Sequence, residues 1–543
     1  MNRILSCSHR YSSLVISCAI CAVCCSVAFL CAYNLCGGEF IYPIDDTYIH
    51  IAMAKTLATQ GVWGVEPEKL AFCSSSPLWT ILLATFYLVF GVSDLLPWFL
   101  ALGFNIASLI LFDRIVMGMS GNWRWRVGGA LAIAVAGPFI CTTALGMEHA
   151  MHGFFILASI ATCSCVISDK NLLGGKIRPM ILAATCAAAA TASRYESLFL
   201  LLPLGVGLCG LELWMRVKAK TRMFPIRALC FLAAAGAPVI VYGLWAVIMG
   251  GHFLPNSLLL KGQFRTLPEL FDAIIQILGS VKPGCGFLYL LGLALVSSAI
   301  LPRVPVYWRI ASFSVAIAIG GHLVFADVGQ LCRYEAYLTS TGMGCLVLCA
   351  LCFVRSAQDK AHKIHLMGIY AGMGIVAIVF INRSYEYAII TPWASQNIRN
   401  QQVLMTRIMS EMPEEDQGCV ALNDLGYMAL HGGFPFLDIW GLGSQDAAEC
   451  ILKHRGTWSK EDHEFLFKKH DVKYVVVFKS WFHLWLMPEG TLDVAELKLL
   501  NNLVCGGDTV VFRATSQESA QKLRAHLLRY VDKMPPQATL TVW

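Results

Sequence analysis

The sequence has few charged residues for its length. Only 14% of its 543 residues are Asp, Glu, Lys or Arg, whereas soluble globular proteins contain about 25%. Hydrophobic residues make up 57% of the chain. This composition excludes a disordered chain and an ordinary soluble enzyme. The net charge of +6, spread over this length, also argues against a nucleic-acid partner, because no basic stripe is present.

The few charges are unevenly distributed along the chain. They occupy 41 of the first 382 positions, about 11%, but 35 of residues 383–543, about 22%. The first value is typical of a polytopic membrane protein and the second of a water-exposed domain. We therefore predict a transmembrane module over 1–382 and a soluble domain over 383–543.

The sequence also lacks a recognisable disulfide framework or zinc motif, although it contains 22 cysteines. Many of them lie inside apolar runs, as Cys21, Cys24 and Cys25 do in the first run. A cysteine in such a run behaves as a small hydrophobic residue. Zinc requires clustered ligands in a water-accessible pocket, so this spacing does not indicate a metal site.

Apolar runs long enough to cross a bilayer recur along the first 382 residues. The first is longer than the 7–15 residues of a signal-peptide core, which favours a retained helix. Another run, 77–90, has fourteen residues and is predicted to be re-entrant. The predicted spans number eleven: 13–33, 95–117, 127–145, 149–168, 178–193, 197–214, 228–250, 284–301, 308–326, 336–354 and 365–382.

The loops between these runs indicate an orientation. With a cytoplasmic N-terminus and a re-entrant 77–90, the cytoplasmic side has 18 Lys and Arg and the opposite side 7. This distribution satisfies the positive-inside rule, which would be reversed if 77–90 crossed the bilayer. We therefore predict a multi-pass protein of the cell (plasma or inner) membrane. Its C-terminal domain would lie outside the cytoplasm.

The first outer loop, 36–76, contains two adjacent acids, Asp45 and Asp46. Pro43 ends the preceding helix, and either aspartate can start a new helix that stops at Gly61. Ile49, Ala52, Met53 and Leu57 give that helix an apolar face, which favours a position along the membrane. A catalytic role and a helix-capping role are both open at this point.

Other charged and polar residues are predicted on the same face of the membrane. Basic residues there are not explained by topology and are either solvated loop charges, lipid-headgroup contacts or parts of a site. Arg194 is held tightly, because it joins two apolar runs with hardly any loop. The candidates, besides the two aspartates, are His50, Glu148, Arg194, Glu196, Asn256, Lys261, Arg333 and Tyr334.

Several short motifs carry a family resemblance along nearly the whole chain. Asp45-Asp46-x-Tyr48-Ile49 followed by Ser76-Pro77-Leu78-Trp79 resembles the GT-C superfamily of polytopic glycosyltransferases, and most closely the group of terminal arabinofuranosyltransferases. The later motifs, in the order of that group, are Gly146-Met147-Glu148, Arg194-x-Glu196, Leu254-Pro255-Asn256-Ser257 with Lys261, Arg333-Tyr334, Leu422-Asn423-Asp424-x-Gly426 and Asp438-Ile439-Trp440-Gly441-Leu442.

This resemblance implies an inverting transfer of a sugar from a polyprenyl-phosphate donor to an envelope glycan or glycolipid on the outer face of the membrane. It implies that Asp45 is the general base, with Asp46 as its partner or alternative. Arg194, Lys261 and Arg333 would neutralise the donor phosphate.

Under the same resemblance, the remaining candidates would bind substrate. His50 and Glu148 would contact acceptor hydroxyls or orient Arg194 and the aspartates. Glu196, Asn256 and Tyr334 complete this set. A divalent cation, Mg²⁺ or Mn²⁺, at the aspartates is left open, and no other cofactor is implied. The chain has no glycine-rich nucleotide-phosphate loop, which fits a lipid-linked donor.

The C-terminal region is predicted to be an α/β domain, with a helix over 398–411 and strands over 418–422, 472–478 and 508–513. It is either a stabilising domain or a surface where Asn423, Asp424, Asp438 and Trp440 face the acceptor glycan. A lipid-linked sugar flippase is the main alternative function, but transporters often contain internal repeats and this sequence shows none. A non-catalytic scaffold would not explain the paired aspartates and the outer cations.

Overall fold

The computed structural model describes residues 2–167, 177–221, 224–261, 267–301, 303–356, 360–454, 458–481 and 487–543. The chain forms two compact units, each assembled from three segments. The first unit contains Met1–Ala28, Trp98–Tyr242 and Gln263–Ile389. The second contains Phe29–Pro97, Gly243–Gly262 and Ile390–Trp543. The predicted division at residue 382 separates membrane from water rather than compact units, and it stays a prediction.

Helices dominate both units. In chain order they are Asn2–Leu35, Asp46–Gln60, Pro77–Phe90, Leu96–Met119, Trp123–Ala136, Phe139–Leu145, His149–Ile167, Arg178–Ser193, Leu198–Lys218, Ile226–Ile248, Asn256–Lys261, Leu267–Gly279, Gly286–Ala299, Val306–Phe325, Ala336–Ser356, Lys360–Ile398, Leu404–Ser410, Gly426–His431, Gln445–Lys453, Lys460–Lys469 and Gln517–Leu527.

Within the described residues, eight helices are long and apolar enough to cross a membrane. A ninth span results if the bent pair Trp123–Ala136 and Phe139–Leu145 is counted as one. The other two of the eleven predicted runs form the shorter helices Arg178–Ser193 and Gly286–Ala299. The fourteen-residue run also forms a short apolar helix, Pro77–Phe90, as its length predicts. These helices make the chain a multi-pass membrane protein.

One mixed sheet lies in the second unit. Its strands are β1 (Cys419–Leu422), β2 (Phe436–Asp438), β3 (Val472–Phe478), β4 (Leu492–Leu499), β5 (Thr509–Ala514) and β6 (Ala538–Val542). They are arranged in the order β2-β1-β3-β5-β4-β6. The pairs β2-β1 and β1-β3 are parallel and the others antiparallel.

The predicted strands correspond to β1, β3 and β5, and the α/β character of this region is confirmed. Strand β3, Val-Lys-Tyr-Val-Val-Val-Phe, has buried residues at every position except Lys473. Such a continuous apolar run is typical of a central strand. Asn423 and Asp424 directly follow β1, and Asp438 is the last residue of β2. Because these two strands are parallel, their carboxyl ends lie at the same edge of the sheet.

The first-loop helix is present with the predicted bounds, Asp46–Gln60. Gly61 ends it with φ of 70°, and the Gly61 N–H donates to the Leu57 carbonyl. The expected single apolar face is wrong for the first half of the helix, since Thr47 to Ala54 are all buried. This helix is therefore packed in the interior of its unit, where both Asp45 and His50 are held in fixed surroundings.

Candidate functional site

The structure brings the predicted site residues together in two clusters, one in each unit. The first-unit cluster contains Glu148, Arg194, Glu196, Arg333 and Tyr334, which derive from three separate motifs of the sequence. The second-unit cluster surrounds Asp45. The expectation that these acids and cations lie on the same face of the membrane stays a prediction.

Arg194 is held between two glutamates in the first cluster. Its Nη1 donates to Glu148 Oε1 at 2.6 Å, and its Nε and Nη2 donate to Glu196 Oε1 at 3.2 and 2.5 Å. Glu148 is fully buried and Arg194 is 7% exposed. Three of the five guanidinium N–H donors are thus used by carboxylates, which leaves two for a ligand. The three side chains together have a net charge of −1.

Tyr334 connects this group to the second cation of the cluster. The Arg194 guanidinium lies 5.6 Å from the centre of the Tyr334 ring, and that of Arg333 lies 4.7 Å from it. Arg333 Nη2 also donates to the Tyr334 hydroxyl at 2.8 Å and to the Gln330 side chain. Cation–π contacts of this kind fix both guanidinium groups against one ring. Arg333 brings the net charge of the cluster to zero.

A left-handed turn precedes Arg333. Gly329, Gln330, Leu331 and Cys332 have φ angles of 104°, 45°, 60° and 62°. Each non-glycine residue in this region costs on the order of 1–3 kcal/mol and persists only where the surroundings enforce it. The turn that positions Arg333 is therefore maintained by packing against other elements.

Glu335 and Arg383 provide part of that packing. The fully buried Glu335 accepts from the Gly329 N–H at 3.0 Å and pairs with Arg383, whose guanidinium lies 3.8 Å from the centre of the Phe287 ring. This clamp, the pair Glu335 and Arg383, holds the start of the turn at Gly329. Sequence reasoning missed it, although an Arg at the end of a predicted apolar run was a usable signal.

The second cluster is built on Asp45, which is 6% exposed. Its side chain does not cap the helix that follows. Instead its Oδ2 accepts from the Gly426 N–H at 2.6 Å and its Oδ1 from the Tyr427 N–H at 2.9 Å. The capping alternative is therefore wrong for Asp45, which joins the first loop to the Leu422-Asn423-Asp424-x-Gly426 motif.

Asp424 is the neighbour that sets the electrostatics of Asp45. Burial raises the pKa of Asp45 well above its ordinary value, and the charge of Asp424 raises it further, while the Tyr427 N–H acts in the opposite direction. Asp424 Oδ2 in turn accepts from Gln402 Nε2 at 2.7 Å. A buried carboxyl group whose pKa is raised by a neighbouring carboxylate is typical of acid–base sites.

Gln402 lies in a π-helical turn, Arg399–Val403, between two α-helices. Asn400, Gln401 and Gln402 are all buried there. π-Helical turns are rare in proteins, and those that occur are often found at functional sites. Sequence reasoning did not single out Gln402, because a Gln-Gln pair is not part of a recognisable motif.

Glycine is the only residue type that fits at position 426, beside Asp45. A Cβ atom at this position would lie 2.1 Å from the Asp45 carbonyl oxygen and 2.5 Å from its Oδ2. These distances are far below van der Waals contact, so a side chain would separate the two loops. This explains why the motif has glycine two residues after Asp424.

The other predicted residues of the second unit differ in their surroundings. Asp46 is partly exposed at the first turn of its helix, and His50, four residues on and on the same side, is buried. Asn256 is fully buried, and its Nδ2 donates to the carbonyls of Gly441 and Leu442 at 3.2 and 3.4 Å. Lys261 ends the helix Asn256–Lys261, but its side chain lies outside the described residues.

Two further polar residues of the C-terminal motifs support their own loops. Asp438 is fully buried and accepts from the N–H groups of Trp440 and Gly443 at 2.9 and 2.7 Å. Asn423 Oδ1 accepts from the Phe478 N–H at 3.1 Å. These contacts favour a structural role for both residues rather than the predicted role in facing a glycan.

The residues around Asp45 do not fit a divalent cation. Each Asp45 oxygen uses one lone pair to accept a backbone N–H group, whereas Mg²⁺ requires several convergent oxygen ligands in near-octahedral geometry. In the part of the chain that the structure describes, no group of three or more His, Cys, Asp or Glu side chains has a metal-binding arrangement.

Comparison with known proteins identifies the fold of the chain but finds little sequence similarity. A family model described as a domain of unknown function, DUF8728, matches residues 396–522. No curated protein matches the sequence. The solved structure of ArnT from Cupriavidus metallidurans bound to undecaprenyl phosphate has a TM-score of 0.57 at 9% identity, covering 94% of this chain and 99% of ArnT.

Two further structures complete the comparison. Apo ArnT from the same organism has a TM-score of 0.52 at 9% identity, covering 93% of this chain and 98% of ArnT. The oligosaccharyltransferase AglB from Archaeoglobus fulgidus has a TM-score of 0.43 at 12% identity, covering 92% of this chain and 74% of AglB. The ArnT similarity extends over nearly the whole chain, and it shows that this protein has a GT-C-like fold. The narrower resemblance to terminal arabinofuranosyltransferases stays a prediction.

Proposed function

We propose that this protein is an inverting glycosyltransferase that moves a pentose or hexose from a polyprenyl-phosphate donor to an envelope glycan or glycolipid on the outer face of the cell membrane. The observation that carries this proposal is the fold shared over nearly the full length with ArnT, whose structure was solved with undecaprenyl phosphate bound. The paired Asp45 and Asp424 carboxyls, and the cations gathered at Tyr334, supply the chemistry that such a transfer needs.

In this reaction Asp45 accepts the proton of an acceptor hydroxyl while the oxygen attacks the anomeric carbon of the donor. The bond between that carbon and the phosphate oxygen breaks, and polyprenyl phosphate leaves with the electron pair. A single displacement inverts the anomeric configuration. The leaving group departs as an anion, so stabilisation of negative charge replaces a general acid.

Arg333 is the principal phosphate ligand in this proposal. It lies beside Arg194 against the same Tyr334 ring, and the positive charge of Arg194 is shared with the two carboxylates that Arg194 contacts. Arg194 adds its two remaining donors, and Lys261 a third positive charge. Arginine suits this role because its planar fork binds two phosphate oxygens at once.

The variant Arg333→Gln tests the phosphate contact. Loss of one charged donor to a developing anion costs about 10²–10³-fold in kcat, whereas Arg333→Lys keeps the charge and loses less. Transfer from a labelled polyprenyl-phosphoryl sugar is measured in membrane vesicles. Arg303→Gln, at an exposed position, is the matched control and should leave transfer unchanged. Equal rates for Arg333→Gln and wild type would remove Arg333 from the mechanism.

The variant Asp424→Asn tests the electrostatics of Asp45. The base acts in its ionised form, so a raised pKa moves the acidic limb of the pH–rate profile above the value of about 3.9 of an ordinary aspartate. Removal of the Asp424 charge lowers the pKa of Asp45. The limb should therefore move to lower pH, whereas the exposed Asp508→Asn should leave it in place. An unmoved limb in Asp424→Asn would contradict the assignment.

A strain without the gene separates this proposal from the transporter alternative. Its envelope glycan should lack one sugar, while the lipid-linked donor accumulates on the outer leaflet. A flippase predicts accumulation of the donor on the inner leaflet instead. Compositional analysis of the glycan, together with leaflet-specific periodate oxidation of the donor, gives the two readouts. Inner-leaflet accumulation would overturn the proposal.

A further inference from the structure

The second unit contains a cavity that none of the predicted site residues lines. Its volume is about 350 Å³, within the range of roughly 300–1,000 Å³ that is typical of small-ligand sites. One wall is the later half of the helix Asp46–Gln60 with the segment that follows it, and the other is the end of the helix Gly426–His431 with the turn into β2.

The two helices that form these walls both begin next to Asp45. The helix Asp46–Gln60 begins directly after it, and the helix Gly426–His431 begins at the residue whose N–H donates to its carboxylate. The first lining residues, Ala52 and Ala429, lie six and three positions beyond these starts. At a rise of 1.5 Å per residue these positions correspond to about 9 Å and about 5 Å from the aspartate end. The first lining residue of each wall therefore lies about one to two helical turns along a helix that begins at Asp45 or at its hydrogen-bond donor Gly426.

The lining residues include a carboxylate, an ammonium group, hydroxyls and a side-chain amide. Glu66 supplies a carboxylate whose side chain is only 11% exposed, and its Oε2 pairs with Lys69 at 2.8 Å. Lys55 supplies an ammonium group that lies 3.5 Å from the Leu430 carbonyl. Thr59 and Gln60 supply a hydroxyl and an amide. Sugars offer both donors and acceptors, and a wall with this mixture can bind them from several directions.

The same walls carry apolar rings. Phe434 and Phe436 are buried and line the cavity together with Pro67 and Pro435. Flat apolar groups of this kind pack against the C–H face of a sugar ring. The lining has one carboxylate and one ammonium group, so it offers no excess positive charge. This arrangement disfavours a phosphate, which needs several converging cations or backbone donors.

We propose that this cavity binds the acceptor, specifically one or two neutral sugar rings next to the hydroxyl that Asp45 deprotonates. The inference rests on the proposed function and adds to it the chemical class of the acceptor at this position. The donor phosphate binds elsewhere, at the cations around Tyr334.

The test uses the full-length protein in phospholipid nanodiscs. The probes are a polyprenyl-phosphoryl sugar and di- to tetrasaccharides released from the envelope of the source cells by mild acid hydrolysis. Ala429→Leu places a larger side chain in the cavity, and Ala520→Leu makes the same change at a partly exposed helix position of the same unit, away from the lining. Glu66→Gln removes the carboxylate charge and keeps its shape.

Ala429→Leu should raise the KM for the saccharides about tenfold or more, with a smaller change in kcat, because even one surplus methylene in a fitted pocket costs this much. Glu66→Gln should raise the same KM less, and Ala520→Leu should not change it. Saturation-transfer NMR of the saccharides with the protein, without donor, measures binding alone. The saccharide signals should weaken most with Ala429→Leu, less with Glu66→Gln and not at all with Ala520→Leu. If the Ala429→Leu protein does not accumulate in the membrane, the KM and the NMR signals of Glu66→Gln alone test whether the cavity binds the acceptor.

Two negative results are distinguishable. If the wild-type protein does not cleave the donor at all, the proposed function fails. If the wild type transfers the sugar but Ala429→Leu and Glu66→Gln both retain its KM and its NMR signals, the cavity does not bind the acceptor and only this inference is overturned.

Discussion

The variant Asp45→Asn should lower the rate of sugar transfer by about 10²–10⁴-fold, the usual contribution of a general base. An asparagine cannot take the proton of the acceptor hydroxyl at neutral pH. The expected loss is mainly in kcat, because the donor is bound by other residues. Initial rates of transfer from a labelled polyprenyl-phosphoryl sugar, measured in nanodiscs at saturating donor, give the effect directly.

This substitution also has a structural effect that needs a control. The Asp45 oxygens accept two backbone N–H groups, and the amide nitrogen of asparagine would face one of these donors. A lost hydrogen bond of this kind costs about 1–3 kcal/mol. Asp438→Asn is matched to it, since the buried Asp438 also accepts two backbone N–H groups in the same unit. Similar loss of stability in both variants, with loss of transfer only in Asp45→Asn, is the expected pattern. Equal transfer in both would contradict the assignment of the base.

The variant Arg194→Met should lower the free energy of unfolding by about 3–5 kcal/mol, the cost of leaving buried charges without their partner. Glu148 is fully buried, and both it and Glu196 have Arg194 as the cation within 2.6 Å. Removal of the arginine leaves two negative charges close together at low exposure. Thermal unfolding of the protein in nanodiscs, compared at one heating rate, measures the loss.

Two companion variants make this result specific. The triple variant Arg194→Met, Glu148→Gln and Glu196→Gln removes all three charges and should recover much of the stability. Arg407→Met breaks an ion pair with Glu39 whose partners are 46% and 35% exposed, and it should cost about 1 kcal/mol or less. If Arg194→Met unfolds like wild type but does not transfer sugar, the arginine acts on the substrate and not on the packing of its cluster.

Much of the fold follows from local patterns in the sequence. Apolar runs predicted the long helices, and Pro43 and Gly61 bounded the first-loop helix correctly to within a few residues. Alternation and continuous apolar runs predicted β1, β3 and β5. The strands β2, β4 and β6 were missed. Strand β2 has only three residues, β4 (Leu-Asp-Val-Ala-Glu-Leu-Lys-Leu) contains several residues that favour helices, and the edge strand β6 (Ala-Thr-Leu-Thr-Val) is polar.

The contacts that set the electrostatic environment of Asp45 and Arg194 could be predicted less well from the sequence than the helices and strands. The motif around Asp424 was visible, but its contact with Asp45 depends on how distant segments pack, and no local pattern carries that information. For Glu148 the family resemblance left a contact with Arg194 open as one of two alternatives, and no local pattern decides between them, because the two residues lie 46 positions apart. Separation along the chain also hid the contact of Gln402 with Asp424 and the clamp of Glu335 with Arg383, because the partners lie 22 and 48 positions apart.

Purified protein in nanodiscs, supplied with a polyprenyl-phosphoryl sugar labelled in the sugar and with envelope saccharides as acceptors, tests the central claim most directly. The account predicts that label moves from the lipid to the saccharide, that NMR of the product shows inverted anomeric configuration, and that Asp45→Asn leaves the label on the lipid. Label that stays on the lipid with the wild-type protein, or a product that retains the configuration of the donor, would contradict it.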